Sequence, residues 1–348
     1  MRRAPPLIVG GGIAGAAAAI RLARARLAPL LVERSAGPHD KVCGEFLSVE
    51  TVAGLRALGV DPEALGAAPI ASVRLARGER LAEARLPFRA LSLSRRRLDE
   101  ALLAQAARAG AAIERGRWVR ALAELPSGPV LAATGKHGLR GVPRPPGAGL
   151  VGLKGYFRLA PAQARSLAGA VELVAFPGGY AGLQLVEDGI ANLCLLAPAG
   201  PGADLLAVAM GAPHLARRLE GAGALLARPL AIANLPYGWT HRPAPGDPTH
   251  MYRLGDQWGM IPSFTGDGMA LALATAALAA RALGEGAPAA AYHAAANRRL
   301  RPALRRAHWL ARAGLSPLVG PLVPALARAW PGLMALAARA TRAPAFAA

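Results

Sequence analysis

The chain begins with a short apolar run that leads directly into closely spaced glycines. Leu7-Ile8-Val9 is of strand type, and Gly10-x-Gly12-x-x-Gly15 follows it at once. The first glycine permits a tight turn, the second lets backbone N–H groups approach a pyrophosphate, and the third lets a helix pack against the strand. Residues 16–28, rich in alanine, leucine and arginine, supply that helix. This order of elements predicts a dinucleotide-binding βαβ unit.

An acidic residue ends the second strand of this unit, which residues 29–32 form. A carboxylate at Glu33 suits a hydrogen bond to ribose hydroxyls and would repel a 2′-phosphate. The helix N-terminus would face the phosphates with its unpaired N–H groups and positive dipole end. The residues expected to contact the nucleotide are Gly10, Gly12, Ile13, Ala14, Gly15, Glu33 and Arg34.

A second glycine-rich segment lies near the other end of the chain. Gly255-Asp256 ends a strand-like run, and Asp256 can accept a hydrogen bond from a ribityl hydroxyl. Residues 262–268 then lead into an apolar helix, whose N-terminus would stabilise negative charge at the pyrimidine edge of a reduced flavin. The two segments in this order predict an FAD-binding protein. The expected contacts here are Gly255, Asp256, Pro262, Gly266, Asp267, Gly268 and Met269.

The net charge of +20 comes almost entirely from arginine, because Lys41, Lys136 and Lys154 are the three lysines among 41 basic residues. Such a charge can attract nucleic acid or anionic lipid. Aromatic residues make up only 5% of the chain, too few for a stacking platform, and no nucleic-acid motif accompanies the charge. We interpret the arginines as solvated helix faces and expect no nucleic-acid partner.

Two cysteines, Cys43 and Cys194, exclude a disulfide framework and a zinc site of the multi-cysteine type. We therefore expect no metal. Neither a signal peptide nor an uninterrupted apolar span of about 20 residues is evident. We expect the protein in the cytoplasm. The C-terminal tail leaves peripheral contact with the inner face of the membrane as an alternative.

The element pattern predicts an α/β fold in which a Rossmann-type, three-layer FAD-binding domain is interrupted by an antiparallel β-sheet lobe. The FAD-binding domain is assigned to residues 1–148 and 250–285. Residues 149–249 form the substrate-binding lobe, because stretches such as 171–176 alternate with period two. Residues 286–348 form a helical C-terminal region.

The motifs resemble those of the FAD-dependent oxidoreductases of the para-hydroxybenzoate-hydroxylase superfamily, most of all its geranylgeranyl-reductase branch. Residues 41–45 match the Cys-Gly loop of that branch, and residues 94–99 match its Arg-x-x-x-Asp helix start. Residues 132–137 resemble the middle nucleotide-binding turn, residues 177–180 the substrate-lobe motif, and residues 255–269 the final flavin motif.

The resemblance implies roles for several side chains. Cys43 and Gly44 would lie beside the isoalloxazine ring, where the Cys43 thiol next to Lys41 can donate a proton. Glu45 is the other candidate acid, and the alternative for Cys43 is a small packing residue in a glycine turn. Arg95 would reach the cofactor phosphates or ring edge, or remain a solvated arginine at a helix start. The residues assigned to the substrate are Tyr180 and Phe264.

Departures from the family pattern limit what it implies. Residues 180–184 lack the tryptophan found in many geranylgeranyl reductases, which argues against a geranylgeranyl lipid as substrate. Residues 258–262 contain only part of the Trp-x-Trp-x-Ile-Pro signature of flavin halogenases. A second glycine fingerprint is absent, so NADPH or NADH would bind transiently or another reductant would replace it.

The resemblance implies a redox reaction on a small apolar or aromatic molecule. One chemistry is reduction of a C=C bond by hydride from reduced flavin, with a proton from Cys43 or Glu45, and the Cys-Gly loop favours it. The alternative is a monooxygenase that hydroxylates or epoxidises its substrate through a flavin hydroperoxide. A hypothesis of another class is a flavin-binding accessory protein without turnover.

The tail contains a stretch without charge, residues 313–327, flanked by arginines. Its prolines prevent a straight transmembrane helix. Two uses remain open: packing over the substrate lobe, which we favour, or peripheral contact with an anionic membrane surface.

Overall fold

The computed structural model describes residues 4–147, 149–200, 203–261, 266–316 and 323–330, together with positions 332, 336, 339 and 342. Within these residues the chain forms two β-sheets and the helices that cover them. The strands are β1 (Leu7–Val9), β2 (Leu30–Glu33), β3 (Phe46–Leu47), β4 (Ala68–Arg77), β5 (Arg80–Ser92), β6 (Ala112–Arg115), β7 (Val130–Ala132), β8 (Leu150–Arg158), β9 (Gly169–Phe176), β10 (Gly179–Leu185), β11 (Ala191–Pro198), β12 (Gly223–Ala224), β13 (Leu230–Ala233) and β14 (Met251–Arg253).

Alanine-rich helices connect or cover these strands. The helices are α1 (Ile13–Arg24), α2 (Val49–Ala57), α3 (Arg95–Arg108), α4 (Pro161–Leu167), α5 (Leu205–Met210), α6 (Pro213–Leu219), α7 (Gly268–Gly284), α8 (Ala289–Leu315) and α9 (Val323–Ala329).

The first sheet is parallel and has the strand order β14-β7-β1-β2-β6. Its three central strands, β7, β1 and β2, are mainly apolar on both faces, as expected for a parallel sheet covered on both sides. One face, which includes Ile8 and Leu131, packs against α1, α3 and α7. The other face packs against an irregular segment through Val119 and Leu139. The predicted α/β fold, with a parallel sheet covered on both faces, is confirmed.

Glycines bring α1 close to the first sheet. A β-carbon on Gly15 would lie 1.9 Å from the carbonyl oxygen of Gly10, so only glycine fits at this contact. Gly10 itself has φ +107°, a conformation that a side chain would strain. These two constraints are those that the glycine spacing predicts, and they place the N-terminus of α1 at the carboxyl end of β1.

The second sheet has the order β12-β8-β11-β10-β9-β4-β5-β3, and β13 also pairs with β8. The strands described within the predicted lobe, β8 to β13, pair antiparallel with one another, and the parallel pairing of this sheet joins β9 to β4 outside the lobe. The sheet also crosses the predicted boundary at residue 148, since β3, β4 and β5 come from residues 46–92. The physical reason is an apolar cluster in which Ile70 and Ala90 pack with Val171. The division into domains stays a prediction.

The described part of the tail packs on the body of the protein. Helix α8 lies against α7 and β14, and α9 lies against β5 and β4. Arg328 of α9 donates from Nη2 to the carbonyl oxygen of Leu81 over 2.7 Å. For α9 the contacts support the packing alternative. Among the described residues, no helix combines the length and apolarity needed to span a membrane.

Candidate functional site

A cavity of about 400 Å³ opens at the carboxyl ends of β1, β2, β7 and β14. In the first sheet β1 lies between β2 and β7. The strand order therefore reverses at β1, with later strands added on both of its sides. Ligands of open parallel sheets bind in the crevice that this reversal creates. The opposite wall comes from β13, through Leu230 and Ile232. The cavity therefore lies between the two sheets.

Two cations lie over the start of α1. A β-carbon built on Gly12 would lie 3.3 Å from Nη2 of Arg95 and 3.5 Å from Nζ of Lys41. Asp99 holds both cations, because its Oδ2 accepts from Lys41 Nζ at 2.7 Å and its Oδ1 from Arg95 Nε at 2.9 Å. The first turn of α1 contains no acidic residue. This arrangement suits a pyrophosphate.

The ionisation of this group follows from its pairing. Burial lowers the pKa of Arg95, but Asp99 and Cys43 outweigh burial and raise it. Burial would raise the pKa of Asp99, but Arg95 and Lys41 hold it below its usual range. Arg95 is therefore a fixed cation over the α1 N-terminus and not a solvated helix-start arginine, the alternative that the sequence left open.

Glu33 is fixed at the position predicted for the ribose. Its Oε2 accepts from the N–H of Gly11 at 2.6 Å and its Oε1 from the N–H of Ser35 at 2.9 Å. Burial would raise the pKa of Glu33, but these two donors and Lys41 lower it. An ionised, oriented carboxylate is the group that binds ribose hydroxyls. Arg34, Trp118 and His137 also line the cavity.

The second sheet clamps the loop that contains Cys43 and Gly44. Gln184 of β10 donates from Nε2 to the carbonyl oxygen of Gly44 at 2.9 Å. Asn192 of β11 donates from Nδ2 to the same oxygen at 2.9 Å and to that of Cys43 at 3.2 Å. Side chains of the second sheet therefore hold the loop at the point where it lines the cavity.

Glu45 follows in this loop and is fully buried, with φ +61°. Its Oε1 accepts from three donors: the N–H of Arg95 at 2.7 Å, the hydroxyl of Tyr156 at 2.7 Å and Nζ of Lys154 at 2.5 Å. Its Oε2 is buried and has no hydrogen-bond partner among the residues that the structure describes. A strained backbone and an unpartnered buried oxygen are features that cluster at active sites.

The proton position on Glu45 follows from these contacts. Burial raises the pKa of Glu45, although Lys154 and its other donors oppose that effect. Burial also raises the pKa of Tyr156, so its hydroxyl stays protonated and donates. Because Oε1 already accepts three hydrogen bonds, a proton on Glu45 resides on Oε2. Cys43 lies beside it, and its Sγ accepts from the N–H of Glu45 at 3.4 Å.

The turn after β14 is tied to the turn after β7. Asp256 Oδ2 lies 4.0 Å from Nζ of Lys136, which donates to the carbonyl oxygen of Val42 at 2.9 Å. Gln257 donates from Nε2 to the carbonyl oxygen of Gly135 at 2.6 Å. Three loops that the sequence places far apart thus meet at one end of the cavity.

Most of the predicted contact residues line the cavity, three (Gly15, Tyr180 and Asp267) do not, and two lie outside the described residues. Gly15 packs α1 against the sheet, Tyr180 is buried within β10 away from the cavity lining, and Pro262 and Phe264 lie outside the described residues. Asp267 is buried between two lining glycines. Those that line it are Gly10, Gly12, Ile13, Ala14, Glu33, Arg34, Cys43, Gly44, Glu45, Arg95, Gly255, Asp256, Gly266, Gly268 and Met269.

The sequence analysis missed Lys154 and Tyr156. A signal was present, because β8 carries a lysine and a tyrosine two residues apart, on the same face of an otherwise apolar strand. A buried lysine on such a face needs a hydrogen-bond acceptor as its partner. That the partner is Glu45 depends on the packing of β8 against the Cys43 loop.

The residues present fit FAD. The space beside Gly12 that a β-carbon would fill, the two cations over α1 and the ionised Glu33 correspond to pyrophosphate and ribose. The family model described as FAD binding domain matches residues 3–132. Residues 3–132 therefore form an FAD-binding domain. This match covers 130 of the 348 residues and identifies the chain as an FAD-binding protein.

Solved structures share the fold over most of the chain. The flavin-dependent brominase Bmp2 is 15% identical with a TM-score of 0.75, over 99% of this chain and 94% of that one. A myxobacterial chondrochloren halogenase is 20% identical with a TM-score of 0.67, over 84% and 78%. A geranylgeranyl bacteriochlorophyll reductase-like protein from Thermoplasma acidophilum is 19% identical with a TM-score of 0.69, over 92% and 89%. No curated protein matches the chain in sequence. At these identities the likeness concerns the fold.

Proposed function

We propose that this protein reduces a C=C bond in a small apolar molecule that binds between the flavin site and the second sheet. Bound FAD, once reduced, supplies a hydride. The observation that carries the proposal is Oε2 of Glu45, a buried oxygen without a partner among the described residues, in a side chain that lines the cavity. Addition of hydride to one carbon of a C=C bond requires a proton at the other, and a general acid must deliver it.

Glu45 delivers that proton from Oε2. The substrate carbon that does not receive hydride takes the proton, the π bond is consumed, and Glu45 is left as a carboxylate. Lys154 and the hydroxyl of Tyr156 remain hydrogen-bonded to Oε1 and stabilise the negative charge that forms there. The N–H of Arg95 adds a third donor. The charge therefore develops where donors are already oriented, which is the arrangement that accelerates proton transfer.

Cys43 is the second candidate acid, and its surroundings favour a different role. Its Sγ accepts a hydrogen bond from the N–H of Glu45 and interacts with the side chain of Arg95. A thiol in contact with two donors is oriented as an acceptor. We assign Cys43 to packing and to fixing the loop, and the proton to Glu45.

The lining of the cavity supports an apolar substrate. Leu230 and Ile232 of β13 are half-buried on one side, and Met260 and Ile261 lie on the other. Apolar walls with a few oriented polar groups are typical of small-molecule sites. The electron donor in this proposal is NADPH or NADH that binds transiently.

An oxygen-dependent reaction is the second candidate. The fold is shared with proteins named flavin-dependent brominase and halogenase, and reduced flavin in such a site also reacts with O₂. The clamped loop and Glu45 favour reduction, because a buried carboxylic acid with a free Oε2 supplies what C=C reduction needs. The third candidate function is a flavin-binding accessory role without turnover.

An anaerobic assay separates these functions. The FAD-loaded protein is reduced chemically and mixed without O₂ with a panel that contains geranylgeraniol, cyclohexenone and other unsaturated compounds. We expect one class of compound to reoxidise the flavin and to gain two hydrogen atoms. Reoxidation that occurs only with labelled O₂, and that transfers an oxygen atom to the compound, would establish the monooxygenase. A flavin that no compound reoxidises, with and without O₂, would support the accessory role.

A further inference from the structure

One arginine of the C-terminal tail lies against the start of α7. Nη1 of Arg342 is 3.1 Å from Oδ1 of Asp267 and 3.8 Å from Oε2 of Glu50. Its guanidinium carbon lies 4.8 Å from the centre of the Phe88 ring. The Arg342 side chain is only 12% exposed. The Arg342 side chain thus lies where α2, β5 and the start of α7 meet.

The carboxylate that Arg342 contacts belongs to the cofactor end of the cavity. Asp267 is 1% exposed and stands between Gly266 and Gly268, both of which line the cavity. A buried carboxylate without a compensating charge is costly. A negative charge at the N-terminus of α7 would also cancel part of the positive dipole end that faces the cavity.

We propose that Arg342 is a positioning residue for the cofactor and acts through Asp267. By neutralising and holding this carboxylate, Arg342 fixes the segment between Gly266 and Gly268 against the flavin. It also leaves the positive end of α7 free to stabilise negative charge on the reduced ring. Arg342 is therefore part of the cofactor site, whichever substrate the protein reduces.

The test measures FAD binding and the flavin potential of the full chain and needs no substrate. In Arg342→Ala, we expect the dissociation constant for FAD to rise about tenfold, a typical coupling between linked sites. The midpoint potential of the bound flavin falls, because the uncompensated charge of Asp267 opposes electron uptake. Arg342→Lys retains the positive charge, so its FAD dissociation constant and its flavin potential should lie close to those of the wild type. Arg339→Ala, at an exposed arginine three positions earlier, is the control and behaves as wild type.

A second pair of variants isolates the charge of Asp267. Asp267→Asn removes the carboxylate, so in that background Arg342→Ala changes neither the FAD affinity nor the potential. The proposal is overturned if Arg342→Ala matches Arg339→Ala in both measurements. It is also overturned if Arg342→Ala is as damaging in the Asp267→Asn background as in the wild type, because Arg342 would then act by packing on Phe88. If the single variant does not fold, the comparison in the Asp267→Asn background decides.

Discussion

The hydroxyl of Tyr156 donates a hydrogen bond to Oε1 of Glu45 over 2.7 Å, although 111 residues separate the two along the chain. Glu45 belongs to the loop before β3, and Tyr156 to β8 of the second sheet. Lys154, two residues before Tyr156, reaches the same oxygen. The proposed acid is therefore assembled from a loop at the FAD site and a strand of the opposite wall.

Loss of the Tyr156 hydroxyl tests this assembly. We expect Tyr156→Phe to bind FAD and to slow the proton-dependent step about 10- to 100-fold, since a hydrogen bond to a charged group contributes about 1.5–3 kcal/mol. Single-turnover reoxidation of the reduced protein by a converted compound measures the rate. The control is Tyr252→Phe, which removes a buried hydroxyl bonded to the carbonyl oxygen of Ala287 outside the cavity. Equal rates in the two variants would contradict the role of Tyr156.

The pH dependence of the reaction reports the protonation of Glu45. Burial raises the pKa of Glu45, so the protonated, active form persists above the usual range of a carboxyl. We expect the rate of the reductive step to be highest below this raised pKa and to fall as the pH rises through it. Glu45→Gln lacks the acid and should be about 10²–10⁴-fold slower. Its profile should be flat over the same range, and a profile with the wild-type shape would assign the titration to another group.

Gly12 tests the cofactor cradle. A side chain there enters the space beneath Arg95 and Lys41, where a β-carbon alone lies 3.3 and 3.5 Å from the two cations. Gly12→Val should therefore purify folded but colourless, whereas the wild type is yellow and releases FAD. Gly37→Val is the control, because a β-carbon on Gly37 meets nothing within 4 Å. Wild-type FAD content in Gly12→Val would contradict the position of the pyrophosphate.

A buried ion-pair cluster in the second sheet should govern acid stability. Glu172 accepts from Arg218 at 2.7 Å and His214 at 2.8 Å, and these pairs lower its pKa to about 2 against the effect of burial. A carboxyl whose pKa is lower in the folded than in the unfolded state stabilises the fold at pH values above its unfolded-state pKa. That stabilisation is lost as the pH falls towards the folded-state pKa of about 2. Glu172→Gln should cost about 3–5 kcal/mol at neutral pH, because it leaves Arg218 buried and unpaired.

Chemical unfolding of Glu172→Gln at neutral and acidic pH measures this contribution. The difference from wild type should shrink as the pH falls. Glu83→Gln serves as control, since Glu83 is 49% exposed and its pair with Arg74 should contribute less than about 1 kcal/mol. A difference from wild type that does not change with pH would contradict the linkage.

The local parts of the fold could be predicted from the sequence. Gly10, Gly12 and Gly15 impose steric conditions that only a strand–turn–helix meets, and Glu33 is at a fixed distance from them along the chain. The predicted end of α1 is four residues too late. The helix stops at Arg24 because Arg26 and Ala28 adopt left-handed backbone conformations, and neither residue type signals such a turn.

The non-local parts could not be predicted in the same way. The parallel pairing of β4 with β9 joins strands about a hundred residues apart, and period-two patterns specify a face but not a partner. Lys154 and Arg342 are similar cases. Each is visible as a charge in an apolar stretch, but its partner carboxylate, Glu45 or Asp267, follows only from the packing of distant segments.

The rate of anaerobic product formation, with and without the carboxyl group of Glu45, decides whether this residue delivers the proton. The reduced, FAD-loaded protein is mixed in D₂O, without O₂, with a compound that it converts, and the product is analysed by mass spectrometry. We predict reoxidation of the flavin and a product with deuterium at both former C=C carbons, because the hydrogen that reduced flavin transfers also exchanges with solvent. This product should form rapidly with the wild type and far more slowly with Glu45→Gln. A product that forms at the same rate in Glu45→Gln, or one that forms only with O₂ and contains its oxygen, would contradict the account.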